Sequence, residues 1–175
     1  MKEEFDMTDL GRMKYFLNVE VMQGAKGIFI NQKRYAGELL KRFNLHSGNA
    51  VKNLIVPGSK LSKEGEGAKV DATLYKYLIG SLTYITATKP DLMYVVCLLS
   101  RYMADPTEQH MQAAKRVLRY LKGTMSFGLF YKKGMVEELT AYTDSDYASD
   151  VDDRRSTSGY VFLLNGGVVS WASKK

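Results

Sequence analysis

Cysteine and long apolar runs are scarce in this sequence, and each shortage excludes a class of protein. The only cysteine, Cys97, cannot form an internal disulfide, so the chain is not a disulfide scaffold and a reducing compartment is expected. No stretch approaches the roughly 20 apolar residues of a membrane-spanning helix. The first residues, MKEEFDMTDLG, are too acidic and polar for a signal peptide. We therefore expect an intracellular protein, in the cytoplasm or nucleus, that is neither secreted nor inserted in a membrane.

Histidine is also rare. His46 and His110 are the only two, and they are too isolated in the sequence to suggest a metal site or a catalytic triad. Each is expected to lie at the surface. Ser81 and Ser100 have no basic partner nearby in the sequence, so they do not suggest a nucleophile.

Charge is unevenly distributed along the chain. The 25 basic residues outnumber the 19 acidic ones, which gives a formal charge of +6. Acidic residues crowd between 137 and 153, and basic residues crowd between 115 and 133. A basic stretch beside an acidic one suits an enzyme that acts on polyphosphate strands. On charge alone, two solvated surfaces of opposite sign are the simpler interpretation.

Hydrophobic periodicity predicts an α+β chain that begins with a β-hairpin and continues with about four helices. Asp71 is a candidate N-cap for the second helix, whose inner face should carry Leu74, Tyr77, Leu78 and Leu82. Strands are predicted at 14–22, 28–30 and 127–131. Helices are predicted at 32–43, at 92–103, at 108–122 and in a segment that starts at residue 71. An exposed linker is predicted at 49–69.

The helix predicted at 108–122 is clearly amphipathic. Its apolar stripe consists of Met111, Ala114, Val117, Leu118 and Leu121. A second face is basic, because Lys115, Arg119 and Lys122 follow one another at spacings of four and three residues, with Arg116 beside them.

The last part of the sequence predicts three antiparallel strands. Residues 139–142 are rich in β-formers and lead to Asp144, and residues 160–164 are strongly β-prone. Asn165 and Gly166 predict a tight two-residue turn, because both central positions of a type I′ turn favour positive φ. A carboxylate at the end of a central strand, beside further carboxylates, could hold Mg²⁺. A plain meander with a solvated acidic loop is the alternative.

This segment resembles the start of a ribonuclease H (RNase H) domain, of the kind found at the end of copia-type retrotransposon polyproteins. The resemblance rests on the strings YTDSD at 142–146, DR at 153–154, STSGY at 156–160 and SW at 170–171, and on Asp150. It implies a site where four carboxylates hold two Mg²⁺ ions, with Asp144 as the first of the four. The other three would lie beyond Lys175, so we expect weak or absent Mg²⁺ binding at Asp144 alone. Asp146 belongs to the pattern but is not expected to be a ligand.

The rest of the sequence resembles the end of a copia-type reverse transcriptase palm and the thumb and connection that follow it. The resemblance rests on the strings MTDLG at 7–11, YFLNVEV at 15–21, GIFINQ at 27–32, YKYLIGSLTYITATKPD at 75–91 and LRYLKGT at 118–124. Asn18 stands where the family usually has glycine, and Lys89 where it usually has arginine. The resemblance divides the chain into the end of the palm with the thumb and connection at 1–136 and a partial RNase H domain at 137–175.

Three functions follow as hypotheses. The resemblance implies a catalytically incomplete fragment of a retrotransposon reverse transcriptase and RNase H, which would contact an RNA–DNA hybrid and the rest of its Pol polyprotein. In this region the family grips nucleic acid by its phosphates, and Lys115, Arg119, Lys122 and Arg116 are the candidates; a solvated helix face is the alternative. The second hypothesis is a non-catalytic nucleic-acid-binding module. The third is an interaction fragment that self-associates through an open sheet edge.

Overall fold

Four helices and two antiparallel sheets form the parts of the chain described by the computed structural model, residues 11–134 and 138–175. The α+β class, the N-terminal hairpin, the four-helix portion and the three final antiparallel strands are confirmed. The helices are α1 (Lys33–Arg42), α2 (Ala72–Ile85), α3 (Met93–Ser100) and α4 (Glu108–Gly123), with a 3₁₀ turn at Pro90–Leu92. The strands are β1 (Tyr15–Phe16), β2 (Val19–Gly24), β3 (Gly27–Asn31), β4 (Leu129–Lys132), β5 (Leu139–Ser145), β6 (Ser158–Leu164) and β7 (Gly167–Lys174).

The first sheet has the order β1-β2-β3-β4 and corrects the prediction of one continuous strand at 14–22. The chain reverses at Leu17 and Asn18, whose φ values are 45° and 60°. Asparagine adopts positive φ more readily than most residues, which explains how Asn18 stands where the resemblance expects glycine. Strand β4 closes the sheet by pairing with β3. Gly27 allows this close approach, since a Cβ atom there would lie 2.1 Å from the carbonyl oxygen of Tyr131.

The helices enclose one hydrophobic core. All five residues of the apolar stripe predicted on α4 are buried, so that prediction is confirmed. On α2, Asp71 does cap the helix by accepting a hydrogen bond from the N–H of Thr73 at 2.8 Å. The predicted inner face is wrong at Leu74 and Tyr77, which are exposed. The buried arc instead runs through Tyr75, Leu78, Ile79, Leu82 and Ile85.

Residues 62–70, which we call the strap, lie across the N-terminus of α4. The N–H groups of Glu108 and Gln109 donate to the carbonyl oxygens of Ala68 and Glu66, at 2.9 and 3.2 Å. The first turn of a helix has no acceptors within the helix for these donors, and the strap supplies them. The predicted linker at 49–69 is therefore irregular, but parts of it are packed against the bundle rather than fully exposed.

His110 also lies beneath the strap and is fully buried, so its predicted surface position is wrong. Its Nδ1 accepts a hydrogen bond from the N–H of Thr107 at 3.0 Å, and its Nε2 lies 2.9 Å from the carbonyl oxygen of Ser62. The ring stacks on Tyr102 with a centroid distance of 4.0 Å. Burial lowers the pKa of His110, because the interior disfavours its charged form.

The second sheet has the order β5-β6-β7. Asn165 and Gly166 have φ values of 55° and 74°, which confirms the predicted turn between β6 and β7. Strand β7 fixes the sheet to the helices, since the indole N–H of Trp171 donates to the carbonyl oxygen of Thr86 at 3.1 Å. The predicted domain boundary at 136/137 lies outside the described residues. So does the string at 7–11, except for Gly11. Within the described residues, no helix is both long enough and apolar enough to cross a membrane.

Candidate nucleic-acid interface and carboxylate cleft

The cationic face of α4, defined as Lys115, Arg116, Arg119 and Lys122, lies away from the helix stripe buried in the core. Lys115 is exposed, and its side chain has no hydrogen bond or ion pair with any described residue. A solvated lysine of this kind can move toward a phosphate group without breaking a contact in the protein. Of the predicted binding residues, Lys115 is thus the best placed to meet a ligand.

The other three cations of this face hold residues 48–53 against α4. Arg119 donates from Nε to the carbonyl oxygen of Asn49 at 2.8 Å, and Lys122 donates from Nζ to that of Gly48 at 2.5 Å. Arg116 donates to the side-chain oxygen of Asn53. Sequence reasoning missed this loop, because contacts across more than 60 residues leave no periodic signal. The loop fixes these side chains in position but occupies some of their donors.

Asp144 lies near the end of β5, and its carboxylate is exposed. One carboxylate oxygen, Oδ1, accepts a hydrogen bond from the N–H of Ser145 at 2.9 Å. Side chains alternate along a strand, so Asp144 and Tyr142 lie on the same face of the sheet. Tyr142 is opposite Val161 of β6, and Val161 is opposite Trp171 of β7, so all three share that face. The predicted metal ligand therefore borders an aromatic surface.

Asp146 organises the loop between β5 and β6. Its Oδ1 accepts from the N–H of Thr157 at 2.9 Å, and its Oδ2 accepts from the hydroxyl of Ser149 at 2.5 Å. The Ser149 hydrogen bond, followed by those from the backbone, lowers the pKa of Asp146. Both carboxylate oxygens of Asp146 therefore hold the loop in place, and whether Asp146 binds a metal stays a prediction.

A cluster of the buried Asp150 with the partly buried Arg101 and Lys175, which we call the clasp, ties this loop to the helices. Asp150 accepts from Arg101 Nη1 at 2.8 Å and from Lys175 Nζ at 2.5 Å. Arg101 also donates to the hydroxyl of Thr157 at 2.7 Å, so it contacts both the interior and the end of the loop that joins β5 to β6. In the sequence, Asp150 stood out only as part of the resemblance to RNase H, and nothing indicated that it would meet Arg101.

A cleft of about 580 Å³ separates the second sheet from the 3₁₀ turn and the start of α3. Asp144 and Asp146 line it, together with Tyr94, Tyr142 and Trp171. Among residues 11–134 and 138–175, no group of three His, Cys, Asp or Glu side chains is close enough to hold a metal ion. The single free carboxylate does not fit a two-metal site, and we assign no metal-dependent step to these residues.

Comparisons with known proteins agree with the sequence strings. Residues 1–57 match the family model described as reverse transcriptase (RNA-dependent DNA polymerase). The Pol polyprotein from transposon RE1 of Arabidopsis thaliana is 41% identical over the whole chain, which spans 12% of that protein. The Pol polyprotein from transposon TNT 1-94 of Nicotiana tabacum is 34% identical over 99% of the chain, which spans 14% of it.

A shorter relative matches most of its own length. The uncharacterized mitochondrial protein AtMg00810 of Arabidopsis thaliana is 32% identical over the whole chain, which covers 72% of it. No solved structure is significantly similar to this chain. The similarity to the RE1 polyprotein covers the whole chain and therefore all the described helices and both sheets. The chain belongs to the family of copia-type retrotransposon Pol polyproteins and carries part of their reverse transcriptase.

Proposed function

We propose that this segment holds an RNA–DNA hybrid by its phosphate backbone, through the cationic face of α4. The observation that carries the proposal is the exposed ammonium of Lys115 beside Arg119 and Lys122, whose positions are fixed by residues 48–49. The net charge of +6 favours the approach of a polyanion. Contacts of this kind give affinity that depends on salt and hardly on base sequence.

The proposal concerns binding alone and does not assign the polymerase or nuclease activity of a Pol polyprotein to this chain. The chain spans only 12% of the RE1 polyprotein, so most residues of such an enzyme lie in its other parts. We infer that Asp144 corresponds to the first RNase H carboxylate. By itself it should bind Mg²⁺ weakly, since one free carboxylate leaves most of the shell of the ion to water.

Replacing Lys115 with alanine is expected to weaken hybrid binding by about three- to tenfold, because one phosphate contact is lost. The loss should be the same for hybrids of unrelated sequence. Fluorescence anisotropy with a labelled hybrid at low salt measures this effect. The matched control is Lys76→Ala, which removes an exposed lysine from α2 and should leave the affinity unchanged. Equal affinity of the Lys115→Ala variant and the unmodified chain would contradict the proposal.

A second proposal concerns self-association through β5. Among the described residues this strand pairs only with β6, and Leu139 at its start is 66% exposed. An unpaired edge can accept a strand from another copy of the chain. We expect the sedimentation coefficient to rise with protein concentration. Ala141→Pro should suppress the rise, because the N–H of Ala141 points to the open edge, whereas the N–H groups of the even-numbered β5 residues point to β6. A concentration-independent monomer would contradict this proposal.

A further inference from the structure

The cleft between α3 and the second sheet is walled by aromatic rings whose faces remain open. Tyr94 is 46% exposed on the helical side, and Tyr142 is 61% exposed on the sheet side. Trp171 lies at the base of the sheet wall, with its indole N–H donating to Thr86. Exposed tyrosines on two sides of a cleft provide π-faces that a flat or positively charged group can contact.

The charge of the cleft has one sign. Asp144 and Asp146 line it, and none of its lining residues is lysine, arginine or histidine. Of the nearby cations, Arg101 and Lys175 are paired with Asp150, and Lys89 donates to the carbonyl oxygen of Thr124. Lys174 is exposed, but it lies three residues from Trp171 along β7 and so belongs to the opposite face of the sheet. The cleft is thus negatively charged within a chain of net charge +6, which disfavours a phosphate group and favours a cation.

Asp144 has an acceptor available for such a cation. Its Oδ1 accepts from the N–H of Ser145, whereas its Oδ2 accepts no hydrogen bond from any described residue. Asp146 keeps its negative charge, although its oxygens are engaged by Ser149 and Thr157. A planar cation between Tyr94 and Tyr142 could therefore donate to Asp144 while its π-system contacts the rings.

We propose that this cleft is a binding site for an organic cation of the amidinium or guanidinium class. The cation is either a small molecule with an aromatic body or an arginine side chain of a polypeptide. This site is distinct from the cationic face of α4 and does not depend on nucleic-acid binding there. Its specificity has two sources, since Asp144 selects the positive charge and the tyrosines select a planar group.

Three probes test the site on the intact chain: benzamidine, its neutral analogue benzamide, and N-acetylarginine amide. Trp171 is the only tryptophan in the chain, so its fluorescence reports ligand binding in the cleft directly. Benzamidine should bind at least about tenfold more tightly than benzamide, because the two differ mainly in charge. Binding of N-acetylarginine amide as tight as that of benzamidine would identify a polypeptide side chain as the ligand, and preference for benzamidine would identify a small aromatic cation.

Two variants assign the effect to residues. Asp144→Asn should abolish the preference for benzamidine over benzamide, and Tyr142→Ala should weaken benzamidine binding. Tyr147→Ala removes a fully exposed tyrosine that does not line the cleft and should change neither quantity. Equal affinity for benzamide and benzamidine, or no binding of either cation to the unmodified chain, would overturn the proposal. This comparison on the unmodified chain holds even if a variant fails to fold.

Discussion

Replacing Asp150 with alanine is expected to lower the free energy of unfolding by about 3–5 kcal/mol, the cost of breaking one side of a buried ion pair. Asp150 is the centre of the clasp, and its Oδ2 accepts from both Arg101 and Lys175. Its Oδ1 accepts from the N–H groups of Asp152 and Asp153 at 2.9 and 3.2 Å. The variant would leave the guanidinium of Arg101, which is only 15% exposed, without its counter-charge.

Urea denaturation measures this loss, and Asp153→Ala is its matched control. Asp153 also pairs with Lys175, at 2.7 Å, but its side chain is 37% exposed. Water can replace that contact, so the control should lose much less stability. Similar losses in the two variants would show that the buried position of Asp150 is unimportant.

The stabilisation that Asp150 gives the folded chain should decrease in acid. Burial raises the pKa of Asp150, but the hydrogen bonds from Lys175 and from two backbone N–H groups outweigh it and lower the pKa overall. A lowered pKa in the folded state means that the stabilisation is fully present above the unfolded pKa of about 3.9. It is lost as the pH falls below that value, so the difference between the unmodified chain and Asp150→Ala should shrink in strong acid.

The second large effect is expected at His110, as a loss of stability when the pH falls below the unfolded pKa of histidine, about 6.5. Burial lowers the pKa of His110 below its unfolded value of about 6.5. As the pH falls, the unfolded state therefore binds a proton before the folded state does. The free energy of unfolding should fall by up to about 1.4 kcal/mol for each pH unit. Lys69, Asp105 and Asp152 are the charged groups that act on the ring, and their effects are smaller than that of burial.

The geometry explains why the folded state resists this proton. Nδ1 of His110 accepts from the N–H of Thr107, so a proton on that nitrogen would face another donor. Nε2 is already directed at the carbonyl oxygen of Ser62 in the strap. Charging the ring would break the contact with Thr107 and weaken the end of α4 that the strap covers.

Urea midpoints measured from neutral pH into acid test the prediction for the unmodified chain, His110→Gln and His46→Ala. His110→Gln should be less stable at pH 7 and should lose most of the pH dependence. His46→Ala removes the other histidine, which is exposed, and should keep the full dependence. A pH dependence that follows His46 instead would contradict the assignment.

Much of the fold could be predicted from local sequence patterns. The stripe on α4, the cap at Asp71 and the turn at Asn165 and Gly166 each depend on residues within a few positions of one another. The strap and the pairing of β3 with β4 depend on hydrogen bonds between distant segments, which leave no periodic signal. His110 shows the consequence, because an isolated polar residue in the sequence became buried once the strap covered it.

The candidate sites likewise contain some features that local sequence patterns predict and others that depend on contacts between distant residues. Asp144 and the cationic face could be identified from the family strings and from helical spacing. The engagement of Arg119 and Lys122 by residues 48–49, and the meeting of Arg101 with Asp150, could not be predicted, since these partners are 70, 74 and 49 residues apart. The roles of the predicted residues in binding stay predictions.

The salt dependence of hybrid affinity is the most direct measure of phosphate binding by the cationic face. It would be measured for two RNA–DNA hybrids of unrelated sequence, with the unmodified chain and with Lys115→Ala. We expect the affinity to fall steeply and equally for both hybrids as salt rises, and the variant to reduce the slope of log affinity against log salt by about one. Binding that is insensitive to salt, or a slope unaffected by Lys115→Ala, would contradict this expectation.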